Sequence, residues 1–94
     1  MSHILLSDLA VDQLKNMSPQ IGQQMLEAME RLRTFPRSAP PLHQDGYELY
    51  RQLIVRRFRA VYRYFEQEDE VRIYCILPVR RRLASSDFLT HQIF

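Results

Sequence analysis

Apolar residues recur every three or four positions in the first third of the chain. The longest such run follows Ser18 and Pro19 and comprises Ile21, Met25, Met29, Leu32 and Phe35. This spacing places the side chains on one face of an α-helix. Ser18 suits the N-cap, and Pro19 suits the first helical position, where its missing N–H costs nothing. A shorter helix is predicted to begin at Asp8 after an N-cap at Ser7, preceded by a short strand at HILLS.

The second half of the chain alternates apolar and polar residues instead. The segments FRAVYRYF and VRIYCIL have the spacing of two that is typical of β-strands. Their predicted core face consists of Phe58, Ala60, Tyr62, Tyr64, Val71, Ile73, Cys75 and Leu77. With Glu66 to Asp69 as a hairpin loop, the predicted cross-strand pairs are Phe65 with Glu70, Tyr64 with Val71, Arg63 with Arg72, Tyr62 with Ile73, Val61 with Tyr74, Ala60 with Cys75 and Arg59 with Ile76.

The order of these elements predicts an α+β fold. A further strand in YELYRQLIVR gives the order β-α-α-β-β-β, with two N-terminal helices packed on one face of a small antiparallel sheet. The 94 residues leave room for one domain, covering residues 1–94. Residues 84–94 suit either a short helix capped by Ser85 or Ser86 or an extended segment.

The composition of the chain argues against several classes of function. The two glycines cannot build a phosphate-binding loop, and no Cys or His spacing suits a metal, since His43 lacks a matching cluster. The single cysteine, Cys75, lies in an apolar run and is expected to be a buried thiol. No apolar stretch is long enough for a membrane span, and the N-terminus does not fit a signal peptide. We therefore expect a cytoplasmic protein with no cofactor and no membrane partner.

Arginine dominates the charge of the chain. Twelve of the thirteen basic residues are Arg, and residues 48–94 carry nine basic and six acidic groups. Arg grips phosphate or carboxylate with a planar fork of donors. The arginines of the sheet could be polar cover whose stems pack on Tyr rings. They could instead form a basic aromatic platform for a nucleic-acid backbone or an acidic protein segment.

The predicted pairing of Arg63 with Arg72 favours the platform. Like charges directly across a strand pair repel each other. Arginines that served only as polar cover would not need to be placed at this cost. The acidic loop EQEDE would repel polyanions at the hairpin end. The binding surface is therefore expected at the other end of the sheet, near Arg57, Arg59 and the RRR of residues 80–82.

The residue pattern in the second half of the chain resembles that of a known family. The stretch YRQLIVRRFRAVYRYFEQEDEVRIYCILPVRRR, after a two-helix hairpin and a Pro-rich loop, is similar to the RelE/ParE superfamily of type II toxins. The resemblance runs from about Ile4 to Leu83. It implies a growth-arresting toxin, inactive while bound to a cognate antitoxin that is encoded next to it.

The resemblance implies one of two targets. ParE-like toxins poison DNA gyrase, whereas RelE-like toxins cut mRNA on the ribosome. RelE-like nucleases often carry a Tyr or His near the C-terminus for proton transfer, where this chain has Asp87 and Phe88, and ILPVRRR leans toward the ParE-like wording. Gyrase inhibition is therefore slightly favoured, with ribosome-dependent mRNA cleavage as the alternative and a non-toxic nucleic-acid-binding module as a second.

The resemblance also suggests roles for individual arginines. If the protein is an enzyme, it is a metal-independent endoribonuclease in which Arg59, Arg81 and Arg51 stabilise the charge that develops on the scissile phosphate. The remaining candidates, on the sheet or just after its last strand, are expected to bind the nucleic acid or other target. They are Arg57, Arg63, Arg72, Tyr74, Arg80 and Arg82.

Overall fold

The computed structural model describes residues 1–85 and 87–94, apart from the Asp87 side chain. The elements are β1 (His3–Leu6), α1 (Asp8–Lys15), α2 (Pro19–Arg31), β2 (Arg51–Val55), β3 (Phe58–Phe65), β4 (Glu70–Pro78) and α3 (Asp87–Thr90). The predicted β-α-α-β-β-β order is therefore confirmed. The strands lie in the order β1-β4-β3-β2. β2, β3 and β4 are antiparallel as predicted, whereas β1 runs parallel to β4, so the sheet is mixed.

The two predicted helix caps differ. The Ser7 hydroxyl accepts a hydrogen bond from the Ala10 N–H at 3.0 Å, which confirms its role as N-cap of α1. Ser18 occupies the N-cap position of α2 with Pro19 at the first turn, but its side chain makes no capping hydrogen bond. α2 ends at Arg31, so Phe35 lies beyond the helix and is exposed rather than part of the apolar face.

The predicted register of the β3–β4 hairpin is correct from the loop to the middle of the strands. Phe65 pairs with Glu70, Tyr64 with Val71, Arg63 with Arg72 and Tyr62 with Ile73, as predicted. A β-bulge then shifts the register, so the remaining predicted pairs are wrong: Val61 pairs with Cys75, Ala60 with Ile76 and Arg59 with Leu77. Tyr74 is the additional residue of β4 and faces no residue of β3.

The bulge also moves Cys75 to the other face of the sheet. Ala60, Tyr62, Val71, Ile73 and Ile76 pack with Met25, Met29 and Leu32 in the core beneath the helices, on what we call the helix face. Cys75 is fully buried, as expected for its apolar surroundings, but it packs on the opposite, second face with Val61, Tyr74 and Tyr47.

The second face is covered, although an exposed face was expected. Leu42, Tyr47 and Tyr50 from the Pro-rich connection and Leu83 and Leu89 from the C-terminal segment form a second apolar core against it. The Tyr47 hydroxyl donates to the Ala84 carbonyl at 2.6 Å, and Gln44 donates to the Leu83 carbonyl at 3.1 Å. These bonds join the two covering segments to each other.

The C-terminal segment combines both predicted alternatives. α3 forms a single helical turn, after which the chain continues without helix to Phe94. The Phe94 ring stands edge-on to Tyr74 at a centroid distance of 4.9 Å, and the Asp8 N–H donates to the Ile93 carbonyl at 2.7 Å. Of the two predicted caps for this helix, Ser86 lies outside the described residues.

Candidate functional site

Arg59, one of the candidate catalytic residues, lies on the second face and contacts the main chain of a second candidate, Arg81, whose side chain lines a groove beside the helices with Phe58 and Ile76. The Arg59 guanidinium donates to the Gln52 side chain at 3.2 Å and to the main-chain carbonyl of Arg81. It also lies close enough to Cys75 to oppose, in part, the burial that raises the pKa of that thiol to about 11. Arg59 Nε is buried without a hydrogen-bond partner among the described residues. Its guanidinium therefore holds the segment after β4 against the sheet.

Arg51, the third candidate, lies on the opposite face of the sheet from Arg59. It pairs with Tyr62, whose side chain belongs to the helix-face core, whereas Arg59 pairs with Ile54 and Leu77 on the second face. Arg51 donates to the Ala39 carbonyl at 2.8 Å, and Pro41 bridges to Arg51 at the open edge of β2. Residues that pair across strands point to the same side of a sheet. Arg51 and Arg59 are therefore separated by the sheet itself.

The tyrosines near these arginines are poorly suited to proton transfer. Burial raises the pKa of Tyr47, Tyr62 and Tyr74 above the ordinary value of 10.0. A general acid or base works best when its pKa lies near the working pH. Phe88, which has no proton to transfer, is 40% exposed in α3.

Five arginines gather at one end of the sheet, and we call Arg56, Arg57, Arg80, Arg81 and Arg82 the basic end. All five are exposed. Two main-chain hydrogen bonds bring them together: the Val79 N–H donates to the Arg57 carbonyl at 2.7 Å across the strand ends, and the Arg81 N–H donates to the Pro78 carbonyl at 3.0 Å in a turn. None of the described carboxylates forms an ion pair with them. Among the described side chains, no carboxylate therefore offsets the positive charge at this end.

Arg56 is the member of the basic end that sequence reasoning missed. Its φ of 57° is left-handed, a conformation that costs a residue with a side chain some strain in the two-residue turn between β2 and β3. Its Nε donates to the Gln24 side chain at 2.8 Å, which ties this turn to α2. No pattern in the sequence distinguished Arg56 from its neighbour Arg57.

Arg63 and Arg72 lie near the opposite end and share one aromatic ring. Their guanidinium carbons stand 4.4 and 4.0 Å from the centre of the Phe65 ring. Arg72 also forms an ion pair with Glu70 at 2.9 Å. Cation–π contact and the Glu70 carboxylate offset the repulsion of the facing arginines. Their juxtaposition is thus accounted for without a ligand.

Tyr74 is not part of an exposed platform. Its exposure is only 6%, and its ring is in edge contact with Tyr50 at 5.3 Å as well as with Phe94. The bulge turns Tyr74 toward the same face as Cys75, where the covering segments bury it. The expectation that it offers a surface for a target fails because that face is occupied by the protein itself.

Neither a metal centre nor a membrane segment occurs in the described structure. Within residues 1–85 and 87–94, no three His, Cys, Asp or Glu side chains gather closely enough to hold a metal ion. None of the helices in the same ranges has the length and apolar content needed to cross a bilayer.

The architecture is that of RelE-type toxins. The structure is similar to a chain of the intact Escherichia coli RelBE toxin-antitoxin complex, with a TM-score of 0.74, 14% identity and coverage of 86% of this chain and 100% of that chain. It is also similar to the RelBE2 toxin-antitoxin complex from Mycobacterium tuberculosis, with a TM-score of 0.71, 20% identity and coverage of 82% and 96%. At such identities the likeness establishes the fold alone.

The sequence identifies the family. A family described as the ParE toxin of the type II toxin-antitoxin system parDE matches residues 4–83. The chain therefore belongs to this family, and it is a type II toxin of the RelE/ParE superfamily. A sequence search of curated proteins found no match.

Proposed function

We propose that this toxin arrests growth by inhibiting DNA gyrase and that a cognate antitoxin holds it inactive. The observation that carries the proposal is the separation of Arg51 from Arg59 by the sheet. A ribonuclease of the RelE type would need its basic groups to converge on one phosphate, because fixed charges act only where charge develops. Arg51 is held on its own face by its hydrogen bond to the Ala39 carbonyl at 2.8 Å.

The hydrogen bonds of Arg59 and the raised pKa of Tyr47 also favour gyrase inhibition over RNA cleavage. Arg59 is engaged by Gln52 and by the Arg81 carbonyl, and burial raises the pKa of the neighbouring Tyr47. The family match to ParE toxins and the ILPVRRR wording agree with this reading. The toxin then acts by binding rather than by cutting RNA.

The basic end is the surface that we assign to the gyrase complex. Its five arginines are exposed and unpaired with described carboxylates. Arg63 and Arg72 are, by contrast, engaged with Phe65 and Glu70. An uncompensated cluster of guanidinium groups suits the phosphates of gyrase-bound DNA or acidic groups of the enzyme.

The proposal is tested with purified components. Gyrase, relaxed plasmid and ATP are incubated with the toxin, and supercoiled and linear plasmid are measured after protein denaturation. We expect supercoiling to fall and linear DNA to accumulate, with both effects cancelled when the cognate antitoxin is added first. In a parallel reaction, ribosomes carrying a defined mRNA should leave that mRNA intact. Unaltered supercoiling together with mRNA cut at discrete positions would overturn the proposal.

A further inference from the structure

A pocket lies at the edge of the sheet near the β3–β4 hairpin loop, at the opposite end from the basic end. β2 begins at Arg51, which pairs with Tyr62, so the end of β3, residues 63–65, pairs with β4 but has no partner in β2. The Pro-rich connection closes this gap and leaves a pocket of about 250 Å³. Its walls include Arg37, Glu48, Leu49, Arg51 and Tyr64.

Two guanidinium groups with unused donors line this pocket. The Arg37 guanidinium carbon stands 4.8 Å from the centre of the Tyr64 ring, and Arg37 pairs with Glu66 at 2.9 Å. The two side chains of this ion pair are 54% and 77% exposed, so the pair contributes little and yields readily to a stronger partner. Arg51 donates to the Ala39 carbonyl through Nη1, and none of the described carboxylates forms an ion pair with it. Since a guanidinium carries five N–H donors, both groups can still bind an anion.

Glu48 adds a carboxylate to the same pocket. It accepts from the Gly46 N–H at 3.2 Å, and main-chain N–H groups of Glu48 and Gly46 hold its pKa below the ordinary value of 4.5. Glu48 forms no ion pair with a described arginine. A ligand that carried only negative charge would be repelled by this carboxylate, whereas a ligand that also carried hydroxyl groups would donate to it. An acidic side chain that accepts from ribose hydroxyls is a common feature of nucleotide sites.

The size of the pocket limits what it can enclose. Its volume of about 250 Å³ lies below the roughly 300 to 1,000 Å³ of sites that bury a whole drug-sized molecule. Leu49, in its wall, is 64% exposed and offers apolar surface outside the enclosed part. The pocket therefore suits a phosphate and one sugar, with a base resting on Leu49.

We propose that this pocket binds the ribose phosphate group of a nucleotide. Arg37 and Arg51 bind the phosphate, for which the planar guanidinium fork is well suited. Glu48 accepts from the ribose hydroxyls, and Leu49 contacts the base. The same group occurs in a free mononucleotide and at the 5′ end of an RNA strand. The proposal does not rest on gyrase inhibition, and either one can fail without the other.

Titration of the full chain with adenosine 5′-monophosphate tests the proposal. Amide shifts of the labelled protein locate the contact and give the affinity. We expect shifts at residues 37–41, 48–51 and 64, with a Kd of about 0.1 to 1 mM for so shallow a site. Adenosine, which lacks the phosphate, should bind at least about tenfold more weakly. The 2′,3′-dideoxy nucleotide, which lacks both ribose hydroxyls, should bind about five- to tenfold more weakly than the ribonucleotide.

A short RNA with a 5′-phosphate separates the two sources of the ligand. If it shifts the same residues and binds more tightly than the mononucleotide, the ligand is a strand end. If it binds there equally or more weakly, the ligand is a free nucleotide. Either result supports the pocket as a site for ribose phosphate.

Three variants separate the contributions. Arg37→Gln should weaken binding of the mononucleotide about five- to tenfold through the loss of a charge-assisted contact. Arg31→Gln removes the same charge from an exposed position at the end of α2 and should change the affinity by less than about twofold. Glu48→Ala should abolish the preference for the ribonucleotide over the dideoxy nucleotide and strengthen the binding of inorganic phosphate. All three positions are exposed, and circular dichroism confirms that each variant is folded.

Any one of three results would refute the proposal. The first is a set of mononucleotide-induced shifts on another surface, or no shifts at about 10 mM ligand. The second is an equal loss of affinity in Arg37→Gln and Arg31→Gln, which would reduce the contact to the net charge of the protein. The third is a preference for the ribonucleotide that Glu48→Ala leaves unaltered, since the ribose hydroxyls would then lie elsewhere.

Discussion

Gln13 of α1 accepts a hydrogen bond from the main-chain N–H of Ile76, in β4, at 2.6 Å. Ile76 follows the bulge at Tyr74 and Cys75, where the ladder between β3 and β4 changes register. The Ser7 hydroxyl donates to the Tyr74 carbonyl at 2.7 Å, on the other side of the bulge. Two side chains from the start of the chain thus satisfy main-chain groups at the irregular part of the sheet.

Replacing Gln13 with Leu should destabilise the fold. The change leaves the Ile76 N–H without its acceptor at a partly buried site, which costs about 1 to 3 kcal/mol of unfolding free energy. Urea unfolding followed by circular dichroism measures this loss. Gln20→Leu, at an exposed position of α2, is the matched control and should leave the urea midpoint nearly unchanged. Equal midpoints for the two variants would show that the Gln13 bond contributes nothing.

Ser7→Ala should be more damaging than Ser18→Ala, although both serines are N-caps. Ser7 is fully buried, accepts from the Ala10 N–H and donates to Tyr74, so its loss should cost about 1 to 3 kcal/mol. Ser18 makes no capping bond, so its replacement should cost less than about 0.5 kcal/mol. Thermal unfolding of the two variants beside the parent protein gives the comparison. A larger loss for Ser18→Ala would contradict this account of the caps.

These contacts show where sequence reasoning reached its limit. The alternation of apolar and polar residues identified β3, β4 and their hairpin loop. From the loop to the pair of Tyr62 and Ile73, the two strands follow this period of two without interruption. A bulge leaves no mark in composition, since Tyr74 and Cys75 are as apolar as the residues around them. The inserted residue places Cys75 on the second face of the sheet instead of the predicted core face. Local pattern therefore predicted the strands but not the irregularity that orients them.

The prediction of the candidate site was limited because packing between distant segments decides where its residues lie. Arg59 and Arg81 were both predicted as catalytic candidates. The Arg59 guanidinium contacts the main-chain carbonyl of Arg81, because Arg59 lies near the start of β3 and Arg81 follows the end of β4, which pairs with it. Burial of Tyr74 depends on Tyr50 and Phe94, which are 24 and 20 residues away in sequence. The position of Arg51 depends on the register of β2 against β3. Neither relationship can be inferred from spacing within one segment.

Asp69 should make the fold sensitive to acid. Its carboxylate accepts from the Ser2 hydroxyl at 2.6 Å and from the Tyr64 hydroxyl at 2.8 Å, and these bonds hold its pKa below the ordinary value of 3.8. A lowered folded-state pKa gives stability that is complete above the unfolded value and is lost as pH falls through the folded one. Unfolding midpoints measured from pH 6 down to about pH 2 should fall less steeply for Asp69→Asn than for the parent. Identical slopes would remove Asp69 as a contributor.

Cys75 should be inert in the native protein and reactive once unfolded. Burial raises the pKa of its thiol from 9.0 to about 11, so the reactive thiolate at pH 8 is about 100-fold scarcer than in the unfolded chain. A raised pKa contributes stability below the unfolded value that is lost as pH rises through the folded one, so alkaline titration should weaken the fold between about pH 9 and pH 11. Iodoacetamide labelling with and without urea measures the first effect. Rapid labelling of the native protein at pH 8 would contradict the burial of this thiol.

Toxicity should depend on the basic end rather than on the arginines near the hairpin loop. The double variant Arg57→Gln with Arg80→Gln removes two exposed guanidinium groups that have no described carboxylate partner, so we expect gyrase inhibition to weaken at least tenfold. The double variant Arg63→Gln with Arg72→Gln removes the same charge from groups engaged by Phe65 and Glu70. It should retain inhibition within about threefold, because those groups are already satisfied within the protein. Growth of cells expressing each variant, together with plasmid supercoiling by purified gyrase, measures the difference. If the Arg63 and Arg72 pair proves the more important, the target contact lies at the hairpin end, and the assignment to the basic end is wrong.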